Sequence, residues 1–191
     1  MKKLEELKSM LYVVDMVNGF LKEGNMKDER MMHIVPAIQR LVEKTISDNE
    51  GLAFIKDCHS EDAVEFKKFP VHCLKGTSES EVIDELKQYE RYGLVYEKNS
   101  TSAIFAPGFL SDLEKMKSLE IVRFVGVCSD ICDINVAVPV INYFDQNNRN
   151  VKVEVPENMI DTFDAPYHVK DEYTSMALKL MKQSGINIER R

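Results

Sequence analysis

Short apolar runs alternate along this chain with segments of helical period. That order predicts a parallel sheet covered by helices on both faces. Leu11-Tyr12-Val13-Val14 reads as a first buried strand. Over 33–42 apolar residues recur at spacings of three and four, which predicts a helix with Pro36 tolerable in its first turn. A second strand is expected at 52–55, a helical segment at 82–86, a third strand at 94–96 and a further helix at 109–116. Ile121–Val127 reads as a central strand. The next helix is the most apolar: Ile131, Ile134, Val138 and Ile141 mark one face, and Val136, Ala137 and Val140 fill much of the remainder, so burial is expected. Residues 151–155 alternate as a fifth strand should, 173–181 form a last helix, and 186–188 add a sixth strand. The expected architecture is α/β, a three-layer αβα sandwich with a mainly parallel, Rossmann-like sheet of about six strands. No repeat, low-complexity tract or linker divides the chain, so residues 1–191 are read as a single domain.

Composition narrows the function classes. With 44% apolar residues among 191, the chain can bury a sizeable core, which excludes disorder for most of it. The formal charge of −7, from 32 acidic and 25 basic residues, lacks the basic excess of a nucleic-acid binder. Its apolar runs, such as 134–141, fall far short of the roughly 18 residues of a membrane span. Met1-Lys2-Lys3-Leu4-Glu5-Glu6 leads into no signal-peptide apolar region, so a cytoplasmic protein is expected. Cysteines at 58, 73, 128 and 132 are too few for a disulfide scaffold and read as reduced thiols.

In a doubly wound sheet the ligand site lies beyond the carboxyl ends of the strands. Asp15 follows the first strand, Lys56-Asp57-Cys58-His59 the second, Glu97-Lys98 the third, and Gly126 to Cys132 the fourth. Cys132 falls near a helix start, where free backbone N–H groups and the helix dipole favour a thiolate. Asp15 is the candidate base, Lys98 the balancing cation, and the amides at and before Cys132 a candidate oxyanion hole. Each has an ordinary alternative: a small buried hydrophobe for the cysteine, a helix cap for the aspartate, a solvated side chain for the lysine.

Asp57 and His59, two positions apart, share one side of an extended segment, and His72 follows 13 residues later. Two imidazoles and a carboxylate suit Zn, Fe, Mn or Co in an open site, with Glu65 as a further carboxylate, direct or through water. Surface polar decoration is the ordinary alternative. Cys58 and Cys73, each beside a histidine, raise a structural zinc site as a rival, ranked lower because each would point away from its neighbour. His33 and His168 show no such grouping and are expected at the surface.

Taken together, the segments Val14-Asp15-Met16-Val17-Asn18-Gly19-Phe20, Asp57-Cys58-His59, 69–77, 98–105, 126–132 and 161–166 resemble the isochorismatase-like cysteine hydrolases, and within them the nicotinamidases. The resemblance covers nearly the whole chain. It implies a triad of Asp15, Lys98 and Cys132 and metal ligands Asp57, His59 and His72, with Glu65 at a position where some members add a Glu. It also implies a divalent metal, zinc first with iron or manganese as alternatives, that orients the substrate by its ring nitrogen. Phe20 and Phe69 fall where the family places aromatic rings against a pyridine. A cis peptide is implied between Val127 and Cys128, aiming the amides of Cys128 and Cys132 at the oxyanion. A small-molecule amide substrate, a role in NAD salvage and a homo-oligomer are likewise implied. This sequence departs from the pattern at Cys58, where the family has Trp, at Phe69, at Val17-Asn18-Gly19 and at Thr101. Another small amide or a ureido compound is therefore the alternative substrate.

Overall fold

The structure, a computed structural model, describes residues 2–190; residues 1 and 191 of the expected 1–191 domain lie outside that range. In chain order the elements are β1 (Ser9–Val14), α1 (Asn18–Leu21), α2 (Val35–Ser47), β2 (Gly51–Asp57), α3 (Asp84–Lys87), β3 (Leu94–Lys98), α4 (Phe109–Lys115), β4 (Ile121–Val127), α5 (Ile134–Gln146), β5 (Lys152–Pro156), β6 (Ile160–Asp161), α6 (Lys170–Gln183) and β7 (Asn187–Glu189). The sheet runs β3-β2-β1-β4-β5-β7 with β6 paired to the end of β4, and every pairing is parallel.

All six residues of β1 are buried, as an inner parallel strand with helices on both faces requires. The two-residue period of the strand sorts them. Met10, Tyr12 and Val14 join one apolar cluster with Phe109 and Leu113 of α4, Val136 and Val140 of α5 and Met181 of α6. Leu11 and Val13 join the other, with Phe20 of α1, Ile38 and Val42 of α2 and Leu86 of α3. These two clusters make the three expected layers.

The differences from the sequence reading have local causes. The sheet has seven strands because β6, two residues long, is too short to show a period; it pairs Ile160 with Gly126 and Asp161 with Val127. The helical segment expected at 82–86 begins two residues late: Val82 forms an isolated bridge with Val17, and α3 runs Asp84–Lys87. The helix expected at 33–42 is split, a 3-10 turn at Glu29–Ile34 preceding α2. On α5 the buried stripe is Val136, Ala137, Val140, Ile141 and Phe144, while Ile134 and Val138 are half-buried, as is Ile131, which precedes the helix. Among the described residues no helix is long and apolar enough to cross a membrane.

Candidate active site

β1 and β4 are neighbours at the centre of the sheet, and their carboxyl ends, with those of β2 and β3, bring the candidate residues to one place. Gly126 makes the approach of β4 to β1 possible. Its φ is 137°, and a Cβ there would lie 2.0 Å from the carbonyl oxygen of Val14. The next peptide, Val127–Cys128, is cis, as the resemblance implies. The chain then enters a π-turn, Ser129–Asp133, in which the Cys128 carbonyl accepts from the N–H groups of both Ile131 and Asp133. Cys132 therefore sits on an irregular turn before α5 rather than in the helix itself. π-turns of this kind gather at functional sites.

Asp15, Lys98 and Cys132 meet at the base of this turn. Lys98 is 1% exposed, with Nζ 2.9 Å from Asp15 Oδ2 and 3.6 Å from Cys132 Sγ. Asp15 is fully buried, has a left-handed φ of 50°, and its Oδ1 accepts the Asp57 N–H at 2.8 Å. Non-glycine residues in that backbone region cluster where the surroundings impose a functional geometry. The donor atoms of Asp15, Asp57 and Cys132 lie within 4.8 Å of one another, but the Lys98 ammonium stands among them, so the group is an ion-pair network and not a cation site.

Burial pushes the Asp15 carboxyl up to about 6, against the pull of Lys98. Burial likewise drives the Cys132 thiol well above its ordinary value, with Lys98 opposing. For Lys98 burial acts downward, yet the charges of Asp15 and Asp57 prevail and hold the ammonium well above its usual range. The resting network is thus a neutral thiol beside a carboxylate of raised proton affinity, locked by a permanent cation.

A second cluster shares a residue with the first. Asp57 Oδ1 accepts from Lys98, while its Oδ2 lies 3.4 Å from His59 Nε2 and 3.3 Å from His72 Nε2. His59 Nδ1 faces Asn99 Oδ1 at 3.2 Å and His72 Nδ1 faces the Pro70 carbonyl at 2.7 Å. Both outer partners are acceptors, so each Nδ1 carries the proton and each Nε2 turns a lone pair inward. His59 Nε2 is buried with no hydrogen-bond partner. Three inward donors within 4.8 Å, one of them orphaned, fit a divalent cation. Burial opposes ionisation of Asp57, but the Lys98 ammonium holds its carboxyl well below the usual range.

Glu65 is beside this cluster and not in it. Its Oε1 accepts from the Thr101 hydroxyl, and Oε2 is buried without a partner. Phe20 and Phe69 set their rings 5.6 and 6.3 Å from that of His72. Phe66, absent from the sequence reading, packs edge-on at 5.3 Å from His59 and 5.6 Å from His72. Among the described residues neither Cys58 nor Cys73 joins a group of metal-type ligands, and Cys73 Sγ packs against Gly19, which leaves the structural Cys/His zinc site without support.

Over both clusters opens a cavity of about 560 Å³, lined by Phe20, Phe69, Cys128, Cys132, Phe163 and Tyr167 among others. The side chain of Val127, on the other side of the cis peptide from Cys128, is fully buried in an apolar cluster, because it follows the strand's alternation inward. Phe163 and Tyr167 escaped the sequence reading, since they lie on an irregular segment with no period to place them. His168, expected at the surface, is 6% exposed; its ring stacks between Phe163 and Tyr173. His33 keeps an exposed side chain, as expected.

Residues 9–189 match the isochorismatase domain. A relative, nicotinamidase 1 of Arabidopsis thaliana, is 29% identical over 185 residues, spanning 83% of this chain and 71% of that protein. The solved structure of a Bacillus subtilis nicotinamidase superposes with a TM-score of 0.80 at 23% identity, covering 96% of this chain and all of that one. N-carbamoylsarcosine amidase from Thermoplasma acidophilum gives 0.78 at 23% identity over 96% of both chains. With the match spanning nearly its whole length, the chain belongs to the isochorismatase family.

Proposed function

We propose that this protein is a cysteine amidohydrolase whose substrate is nicotinamide, converted to nicotinate and ammonia. The observation that carries this reading is the position of Lys98 Nζ between Asp15 Oδ2, at 2.9 Å, and Cys132 Sγ, at 3.6 Å, under an aromatic-lined cavity. The name of the Arabidopsis relative supports the substrate.

Cys132 Sγ attacks the carboxamide carbon while Asp15 takes the thiol proton. Burial gives Asp15 the proton affinity for that task near neutral pH. The negative oxygen that develops is met by the amides of Cys128 and Cys132. As the C–N bond breaks, Asp15 passes its proton to the leaving nitrogen, and ammonia departs from a thioester on Cys132. Asp15 then removes a proton from water, which attacks the thioester carbon, and nicotinate leaves as the thiol is restored. Lys98 keeps Asp15 oriented throughout and offsets the negative charge on sulfur or oxygen.

Asp57, His59 and His72 would hold a divalent metal ion, zinc by donor type with iron or manganese as the alternatives, and Glu65 borders it. When bound, that ion supplies a Lewis-acidic anchor for the pyridine nitrogen. Phe20 and Phe69 flank the place the ring would take.

The test compares nicotinamide, benzamide and an N-carbamoyl amino acid as substrates of the metal-reconstituted enzyme. The proposal expects nicotinamide to be hydrolysed far faster than benzamide, which lacks the ring nitrogen. Preference for the ureido compound would replace nicotinamide as the substrate while leaving the thiol chemistry in place.

A further inference from the structure

Among the described residues His168 is the one histidine whose ring is stacked between two aromatic rings, with centroids 3.9 Å from Phe163 and 3.7 Å from Tyr173. Its Nδ1 lies 2.9 Å from the carbonyl oxygen of Phe163, and its Nε2 lies 2.9 Å from Asp130 Oδ2. Both neighbours are acceptors by nature, and each ring nitrogen meets one of them. The imidazole is thus clamped at both nitrogens and walled by two rings.

Asp130 belongs to the π-turn and precedes Cys132 by two residues. Its other oxygen, Oδ1, is buried without a hydrogen-bond partner, so the carboxylate is held from the His168 side. Ser129, its neighbour in the turn, meets Thr174 of α6 hydroxyl to hydroxyl at 3.2 Å. Phe163, whose ring and carbonyl His168 both touch, lines the cavity above Cys132. One imidazole therefore ties the turn that carries the thiol to the cavity wall.

We infer that His168 is a positioning residue for the hydrolytic reaction, acting through Asp130 to fix the turn that presents Cys132 and its neighbouring amides. The inference rests on Cys132 being the nucleophile, as proposed above, but not on nicotinamide being the substrate. Misplacement of a reacting group by about 1 Å can cost on the order of a hundredfold in rate, so a link of this kind is felt in kcat.

Three variants separate positioning from mere packing. His168→Phe keeps the aromatic stack and removes both hydrogen bonds. His168→Gln restores a donor that reaches Asp130, and His168→Asn offers a donor too short to do so. The readouts are kcat and KM with nicotinamide, metal content, and the rate at which iodoacetamide alkylates Cys132, followed by peptide mapping. Expected for His168→Phe is a kcat lowered at least about tenfold, KM within about twofold, unchanged metal content and slower Cys132 alkylation. His168→Gln should recover much of both losses. Adding Asp130→Asn to His168→Phe should cost little more, because the two residues act as one unit. If His168→Phe does not fold, the contrast of Gln against Asn decides the same question. A His168→Phe enzyme with wild-type kcat and alkylation rate, or Gln and Asn variants equally impaired, would overturn the inference. If the wild type leaves nicotinamide intact, the substrate reading fails by itself, and the alkylation rates still decide this one.

Discussion

Lys98 and Asp57 are in direct contact beneath the cavity, and that contact joins the nucleophile's network to the cluster of metal-type ligands. Asp57 spends one carboxylate oxygen on the ammonium and turns the other toward His59 and His72. Lys98 in turn lies against Asp15 and the sulfur of Cys132. A charge placed among the imidazoles is thus linked to the thiol through two residues, Asp57 and Lys98. Orientation of a substrate ring and activation of the nucleophile share one buried framework.

Replacing Lys98 by Met leaves two buried carboxylates without their cation. Turnover is expected to fall by at least about two orders of magnitude, the scale of losing a preorganised charge at a reacting centre. Metal content should be retained, because Asp57, His59 and His72 all remain. The metal-free variant should be destabilised by about 3 kcal/mol or more, as for a buried pair stripped of one partner. Steady-state rates, elemental analysis and a thermal melt check the three outcomes.

Asn99 holds the outer nitrogen of His59 and does not line the cavity. Asn99→Ala frees that ring to rotate and is expected to weaken zinc binding by about ten- to a hundredfold. His72→Ala, which removes a ligand, should lower metal occupancy further and raise KM for nicotinamide. Competitive titration with a chelator orders the two variants.

Asp15 must be ionised to accept the thiol proton. With its carboxyl raised to about 6 by burial, kcat/KM is expected to rise with pH through an acid limb near about 6 and to flatten above it. Asp15→Asn should abolish the limb together with the activity. An acid limb near the ordinary aspartate value of about 4 would contradict the raised proton affinity assigned to Asp15.

Gly126→Ala tests the backbone that sets the turn. The added methyl would stand 2.0 Å from the Val14 carbonyl oxygen at a left-handed φ, so neither rotation nor side-chain movement relieves it. Soluble, folded protein should drop sharply, and any that folds should melt well below the wild type.

Most of the architecture was legible because parallel inner strands and amphipathic helices write strong periods. Ile121–Val127 was bounded to the residue, and Asp15, Asp57, Lys98 and Cys132 were found by looking just past strand ends. The positions that escaped have no period to carry them. β6 is two residues long, Phe66 lies on a single 3-10 turn, and Phe163, Tyr167 and His168 belong to an irregular segment. His168 looked like a surface residue because its partners, Asp130 and Tyr173, stand 38 and 5 positions away on different elements. The double use of Asp57 was invisible for the same reason: sequence shows which residues follow a strand, not which oxygen of a carboxylate faces which neighbour.

The most direct measurement is ammonia release from nicotinamide by purified, metal-reconstituted protein, with Cys132→Ala prepared in parallel. Release by the wild type and none by the variant is the expected result. Absence of release from a wild-type protein that binds its metal and has a titratable Cys132 would contradict nicotinamide as the substrate, and equal release by both proteins would contradict the thiol mechanism itself.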